Sequence, residues 1–304
     1  VLSLINWLMA PFTAVMLFFA NGGQQMPEVT VDPDIQYTTV ISGSERNTLD
    51  VYQTPGGIST VDAGPTAAST HKRDLSPVLL FVHGGGLLIG DKSHFAALGH
   101  KFASAGFTTV IPNHRLSPDV SHPGHMKDIA SAFAWVHSNI DKYGGDPERI
   151  FVAGHSSGGY LAMLLATDPQ YLANFGLSPK NIRGVIPVSG FFFIDRLAPG
   201  RPESVWGSDS AAWPAASPPH YALENTPPTL LLYAENDSRE RRLESIDFAR
   251  QLRIESKETV HVQEVADRNH ATIGIYLMAT EDKTSDSMLS FMRQLSSSSS
   301  GSDG

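Results

Sequence analysis

Residues 149–162 read Arg149-Ile150-Phe151-Val152-Ala153-Gly154-His155-Ser156-Ser157-Gly158-Gly159-Tyr160-Leu161-Ala162. An apolar β-type run ends at Ala153, a tight turn follows, and helix-forming residues resume at Tyr160. Gly154, Ser156 and Gly158 fit G-x-S-x-G. In such a turn the strand reverses so sharply into a helix that side chains two before and two after the serine would collide, and glycine removes the collision. The serine hydroxyl is left at the tip with the free N–H groups of a helix N-terminus behind it, where developing negative charge is stabilised. Ser156 is therefore the candidate nucleophile.

On the N-terminal side, Val78-Leu79-Leu80-Phe81-Val82 is a continuous apolar run that suits a strand buried on both faces. His83-Gly84-Gly85-Gly86 follows it at once. Thr108 to Ile111, Gly184 to Val188, Thr229 to Tyr233 and Val260 to Val265 read as further strands. Helical stretches fall at Ser93 to Ala105, Asp128 to Tyr143, Leu161 to Ala166, Arg241 to Ser256 and around Met288 to Leu295. In the fourth of these, Leu243, Ile246, Phe248, Ala249 and Leu252 are expected to face inward. Strand and helix thus alternate over residues 78 to 295, which predicts an α/β fold with a mostly parallel sheet wrapped by helices. Ahead of it, Val29 to Val31 and Ile35 to Ile41 read as strands interrupted at Pro33, with Thr48 to Tyr52 as a third. Residues 54–77 read as a long surface loop, and 191–225 as an irregular segment that suits a lid.

In parallel sheets the site lies at the carboxyl ends of the strands. A serine at its ordinary pKa needs a base, and the base needs an orienting acid. After the strands ending near 233 and 265 come Asp237 and His270, and Ser, then Asp, then His is the order along an α/β-hydrolase chain. Asp195 is the rival acid; Asp267 lies too near His270 in sequence. The three glycines after Val82 let bare backbone approach a ligand, with N–H groups free to meet an oxyanion. His83 suits an internal hydrogen-bonding prop for that loop. His122 and His125 have an H-x-x-H spacing around Pro-Gly without an evident third ligand, so neither a metal nor an organic cofactor is expected.

These motifs, with Gly90-Asp91-Lys92, Arg115-Leu116-Ser117-Pro118, Tyr143-Gly144-Gly145-Asp146-Pro147, Ser217-Pro218 and Asn236-Asp237-Ser238, resemble carboxylesterases of the α/β-hydrolase fold, in the hormone-sensitive-lipase-like and feruloyl-esterase-like branch. The likeness runs over roughly residues 35 to 295. It implies Ser156 as nucleophile, His270 as base, Asp237 as orienting acid, and an oxyanion hole from the N–H groups of Gly84, Gly85 and Ser157. It implies a serine esterase acting on small to medium neutral carboxylic esters through an acyl-enzyme. An arylformamidase or amidase with the same triad is the rival within the class, and a non-catalytic hydrolase-fold ligand-binding protein the rival outside it. Two departures stand out. Leu87 follows the glycines where an aromatic is common, and Asn113-His114 stands where Asp-Tyr is common. Leu87, Leu88, Phe191, Trp206, Trp213 and Ile273 are the candidate walls of the substrate pocket.

A chain of 304 residues with 41% hydrophobic and 17% charged residues can bury a sizeable core. A formal charge of −9 argues against nucleic acid as a partner. The lack of cysteine excludes disulfides and thiolate chemistry. Residues 27–295 form the expected catalytic domain. Residues 1–26 open with an uncharged apolar run to Ala20, long enough to span a bilayer, serve as a secretory h-region, or pack as an arm or lid. That run favours a secreted, periplasmic or membrane-associated location over a cytoplasmic one. Residues 296–304 are a Ser-rich tail expected to be disordered.

Overall fold

The computed structural model describes residues 27–38, 44–54, 75–197 and 203–297. The apolar N-terminal run, most of the loop expected over 54–77 and the end of the Ser-rich tail lie outside these. Among the described residues no helix is long and apolar enough to cross a membrane.

Among the described residues eight strands form one sheet: β1 (Thr30–Gln36), β2 (Thr48–Gln53), β3 (Ser76–Val82), β4 (Thr108–Pro112), β5 (Gly145–His155), β6 (Gly184–Val188), β7 (Thr229–Ala234) and β8 (Val260–Val265). Their spatial order is β1-β2-β4-β3-β5-β6-β7-β8. β2 runs antiparallel to both its neighbours, and every pairing from β4 to β8 is parallel. The Val-, Leu- and Ile-rich runs of β3, β4, β6 and β7 are buried almost throughout because helices cover both faces.

The longer helices are α1 (Ala96–Ser104), α2 (Gly124–Asn139) and α3 (Ser157–Thr167); then, after the short turns α4 (Gln170–Ala173), α5 (Ile194–Leu197) and α6 (Glu203–Trp206), α7 (Arg239–Glu255); and, after the six-residue α8 (His270–Ile275), α9 (Lys283–Ser297). One core packs Phe133, Leu161, Leu164 and Phe248 from α2, α3 and α7 against one sheet face. A second packs Phe102, Ile273, Met288 and Met292 from α1, α8 and α9 against the other. Every residue of α3 is buried, so the helix behind the candidate nucleophile is part of the core.

The structure changes several sequence expectations. Pro33 does not split β1; it sits within an edge strand whose register shifts between Asp32 and Ile35, a place where a missing N–H leaves no ladder bond broken. Ser76 and Pro77, expected in the loop, begin β3. Leu243 and Ile246 are exposed, because the inward stripe of α7 is Glu244, Ser245, Phe248, Ala249 and Leu252. Glu244 is turned inward as its carboxylate accepts the amides of Phe192 and Phe193 at 2.5 and 2.6 Å. The Ser-rich tail is helical through Ser297, where α9 ends.

The side on which successive strands are added switches at β3. Its successor β4 lies on one side and β5 on the other. Val82 pairs with Gly154, so the residues after both strands emerge together at this topological switch point. The glycine run after β3 and the serine turn after β5 are thereby neighbours.

Candidate active site

Ser156 has φ 56° and ψ −118°, a left-handed conformation costly for a non-glycine residue and held here by its surroundings. Its N–H donates to the Val188 carbonyl at 2.9 Å. A Cβ on Gly154 would lie 2.4 Å from the Gly158 carbonyl carbon, and one on Gly158 would lie 2.0 Å from the Val82 carbonyl oxygen. Glycine at both positions is thus a steric requirement of the crossing of β5, α3 and the end of β3.

His270 is the first residue of α8. Asn269 caps that helix, its side chain accepting the N–H groups of Ala271 and Thr272. The cap sets where the imidazole starts, and its Nε2 lies 2.9 Å from Ser156 Oγ. On the other edge, His270 Nδ1 lies 3.2 Å from Asp237 Oδ2. Asp237 leaves β7 in a turn in which its own N–H donates to the Ala234 carbonyl. Burial would raise the Asp237 carboxyl, but the hydrogen bond and charge of His270, the Arg241 guanidinium at 3.4 Å and the Ser189 hydroxyl outweigh it and hold it below the usual carboxylate range. A carboxylate kept ionised against an Nδ1–H leaves Nε2 free to accept the serine proton.

The rival acid does not reach this group. Asp195 is exposed, with the Ser217 hydroxyl 3.5 Å from its carboxylate. Asp267 is paired with Lys283 at 3.1 Å. His125 Nε2 faces the Ser117 hydroxyl at 3.2 Å.

The glycine loop closes over the other side of Ser156. Gly85 and Gly86 have φ of 125° and 66°, and a Cβ on Gly85 would lie 2.0 Å from the Ile89 carbonyl oxygen. The Gly86 N–H donates to Ser157 Oγ at 3.0 Å, which ties the loop to the start of α3. Among the described residues the N–H groups of Gly84, Gly85 and Ser157 have no hydrogen-bond acceptor. For Ser157 this follows from its place at the first turn of α3.

Beneath the loop, His83 donates through Nδ1 to the Gly84 carbonyl at 2.8 Å and stacks on His114 with ring centroids 4.4 Å apart. The Asn113-His114 departure is scaffolding. Asn113 donates to Asp91 and accepts the Lys92 N–H, while His114 supplies the stacked ring. Arg46 donates to the carbonyls of His114 and Gly90, and buried Lys92 bridges Asp34 and Asp50. The outer strands β1 and β2 are in this way fastened to the glycine loop.

This buried pair of imidazoles makes the loop's foundation sensitive to acid. Burial, reinforced by His114, pushes His83 down to about 3 from 6.5. Burial, reinforced by His125, pushes His114 down to about 4. Between those values and 6.5 the unfolded chain binds more protons than the folded one. Stability is therefore full above about pH 6.5 and is lost as the pH falls toward 4. Two units below 6.5 each group costs on the order of 2 to 3 kcal/mol. The urea midpoint is expected to be much lower at pH 4.5 than at pH 7.5; equal midpoints would contradict the burial of neutral imidazoles here.

Most of the residues expected to wall the pocket are core. Phe191 is stacked on Tyr160 of α3 with centroids 4.9 Å apart, and Trp206 meets both rings edge-on. All three are buried, and the Tyr160 hydroxyl donates to the Ala216 carbonyl. Leu87, at φ 66°, is buried beneath the glycine loop, and Ile273 is buried on the opposite sheet face. Apolar residues near strand ends are drawn into whichever packed layer lies closest, and the sequence does not show which that is. Leu88 and Trp213 alone of the six keep solvent-facing surface, with Ile89 exposed beside Leu88.

Two residues around the triad were given no role from the sequence. Arg241, one turn into α7, reaches Asp237 and also donates to the carbonyls of Ser189 and Gly190 at 3.1 and 3.2 Å. His155, the variable residue of G-x-S-x-G, lies against His270 with ring centroids 5.0 Å apart. A histidine directly before the serine was the available signal for the second.

Residues 67–185 match the family model described as BD-FAE. The chain is 29% identical over 259 residues to the probable carboxylic ester hydrolase LipM of Mycobacterium tuberculosis, covering 79% of this chain and 56% of that protein. It is 29% identical over 244 residues to the esterase LipQ of the same organism, covering 75% and 55%. It thus spans about half the length of these curated relatives. Among solved structures, a tributyrin-phosphonate-inhibited esterase B from Lactobacillus rhamnosis superposes with TM-score 0.72 at 21% identity, covering 91% of this chain and 89% of that one. A hyperthermophilic esterase from the archaeon Pyrobaculum calidifontis superposes with TM-score 0.64 at 22% identity, covering 91% and 85%. The mostly parallel eight-stranded sheet and these superpositions give the chain the α/β-hydrolase fold, and its sequence is similar to those of carboxylic ester hydrolases.

Proposed function

We propose that this protein hydrolyses small to medium neutral carboxylic esters through an acyl-enzyme on Ser156. The observation that carries the reading is the unbroken line of Ser156 Oγ, His270 Nε2, His270 Nδ1 and Asp237 Oδ2, at 2.9 and 3.2 Å, set beside unpartnered glycine-loop amides. His270 removes the Ser156 proton as Oγ attacks the ester carbonyl. The resulting oxyanion is met by the N–H groups of Gly84, Gly85 and Ser157, each such donor worth about 10²–10³ in rate. The alkoxide leaves with the proton returned from His270. Water, deprotonated by the same imidazole, then releases the acid. Asp237 keeps the Nδ1–H tautomer and balances the transient imidazolium.

The names of the relatives support an ester over an amide substrate, and one structural neighbour is an esterase inhibited by a phosphonate analogue of an ester. A panel of p-nitrophenyl esters of increasing acyl length, run beside N-formylkynurenine, tests the assignment. Turnover of short and medium esters with kcat/KM well above that for the formamide is the expected result. The reverse ranking would make the protein an arylformamidase.

A further inference from the structure

The triad leaves one partly buried titratable side chain beside it unused. His155 precedes the nucleophile, and its Nε2 lies 2.9 Å from the carbonyl oxygen of His270. Facing a carbonyl, that nitrogen carries the proton and donates it. The acceptor is the backbone of the base itself, at the first residue of α8. Two glycines flank the imidazole. A Cβ on Gly274, in α8, would lie 2.7 Å from its Cε1 and Nδ1. A Cβ on Gly84, in the glycine loop, would lie 3.3 Å from its Nδ1. Neither glycine has a positive φ, so close approach is what excludes larger residues there. The ring is thus seated between the loop that offers oxyanion donors and the helix that begins with the base.

We infer that His155 is a positioning residue for His270: seated between Gly84 and Gly274, it donates a hydrogen bond to the His270 carbonyl and so sets where the base stands relative to Ser156 and the glycine loop. In the short α8, buried Ile273 packs into the core, and the His155 hydrogen bond ties the first residue to the elbow. Its cap Asn269 is exposed and bonds within the helix only. His155 is suited to the task because it stays uncharged. Desolvation, with the neighbouring His270, pushes its imidazole down to about 3. A donor that acquired charge would oppose the imidazolium forming on His270 during turnover.

This inference rests on the esterase reading, and the experiment separates the two. Wild type and variants are assayed on the best p-nitrophenyl ester, with active sites counted by fluorophosphonate labelling and folding followed by thermal melting. His155→Phe keeps a ring in the slot without the donor, and His155→Gln keeps a donor. His155→Phe is expected to lower kcat per labelled site about 10- to 100-fold with KM nearly unchanged, as for a small displacement of a reacting group. His155→Gln is expected to recover most of that loss. Gly274→Ala, which presses on the ring, is expected to lower kcat too, and combining it with His155→Ala should cost no more than the worse single change. Wild-type kcat in His155→Phe, strictly additive losses in the double variant, or a loss matched by a fall in the folded fraction would each overturn the positioning role. A wild-type protein that neither hydrolyses nor labels would instead overturn the esterase reading.

Discussion

Ser156→Ala is expected to lower ester turnover by at least about 10⁴-fold and to abolish fluorophosphonate labelling, while leaving the melting temperature almost unchanged. The size follows from the chemistry, since a hydrolase without its nucleophile keeps only binding and the oxyanion donors. The stability follows from the structure. Among the described residues Ser156 Oγ hydrogen-bonds only with His270 Nε2, and the positive φ of the residue is imposed by the crossing of β5 and α3 rather than by its hydroxyl. Relief of a buried polar contact offsets the loss of one hydrogen bond. Steady-state rates, gel-based labelling and a melting curve on the same preparation check all three points. Retained hydrolysis would remove Ser156 from the mechanism.

Gly158→Ala is expected to have the largest effect on folding of any single added methyl group at this site. The new carbon would lie 2.0 Å from the Val82 carbonyl oxygen and 2.7 Å from that of His83. Both contacts are backbone, in the strand end that leads into the glycine loop, so no side-chain rotation relieves them. Either α3 moves away from the sheet or β3 shifts, and each tears a helix that is buried along its whole length from its seat. Because no side chain can move aside, the expected loss lies at or beyond the top of the range of about 1–3 kcal/mol that is usual for core overpacking. Soluble yield and denaturant unfolding report it. A variant that melts and turns over like the wild type would show that the elbow is looser than its geometry states. Gly86, whose added Cβ meets nothing within 4 Å, shows the contrast: its φ of 66° strains an alanine, but no neighbour blocks it.

The two substitutions mark different kinds of legibility. G-x-S-x-G between an apolar strand and an apolar helix marks both a candidate nucleophile and the need for the two glycines, because the constraint is local to the turn. The glycine run after Val82 is legible for the same reason. Asp237 and His270 could be proposed from chain order, but Asp195 was an equal in kind, an acid after a strand. What separates them is that β7 lies between β6 and β8 and brings the turn after Ala234 within 3.2 Å of His270. The pocket walls show the opposite limit. Phe191, Trp206, Leu87 and Ile273 carry the same apolar signal whether they line a cavity or fill a core, and here they fill the core. Leu243 and Ile246 erred similarly, because one buried carboxylate, Glu244, rotates α7 so that its apolar stripe is narrower than its composition suggests.

Hydrophobic period and turn chemistry alone were enough for the alternation of strands and helices, the sharp turn at Ser156, and the candidacy of that serine as a nucleophile, since each depends on residues within a few positions of one another. Whether Asp237 rather than Asp195 holds the base, that His83 and His114 stack beneath the glycine loop, and that His155 stands between Gly84 and Gly274 against the back of His270 depend on contacts between segments about 30 to more than 100 positions apart. Such contacts carry no pattern along the chain. They exist only once the sheet order β4-β3-β5-β6-β7-β8 has set the carboxyl ends of its strands side by side.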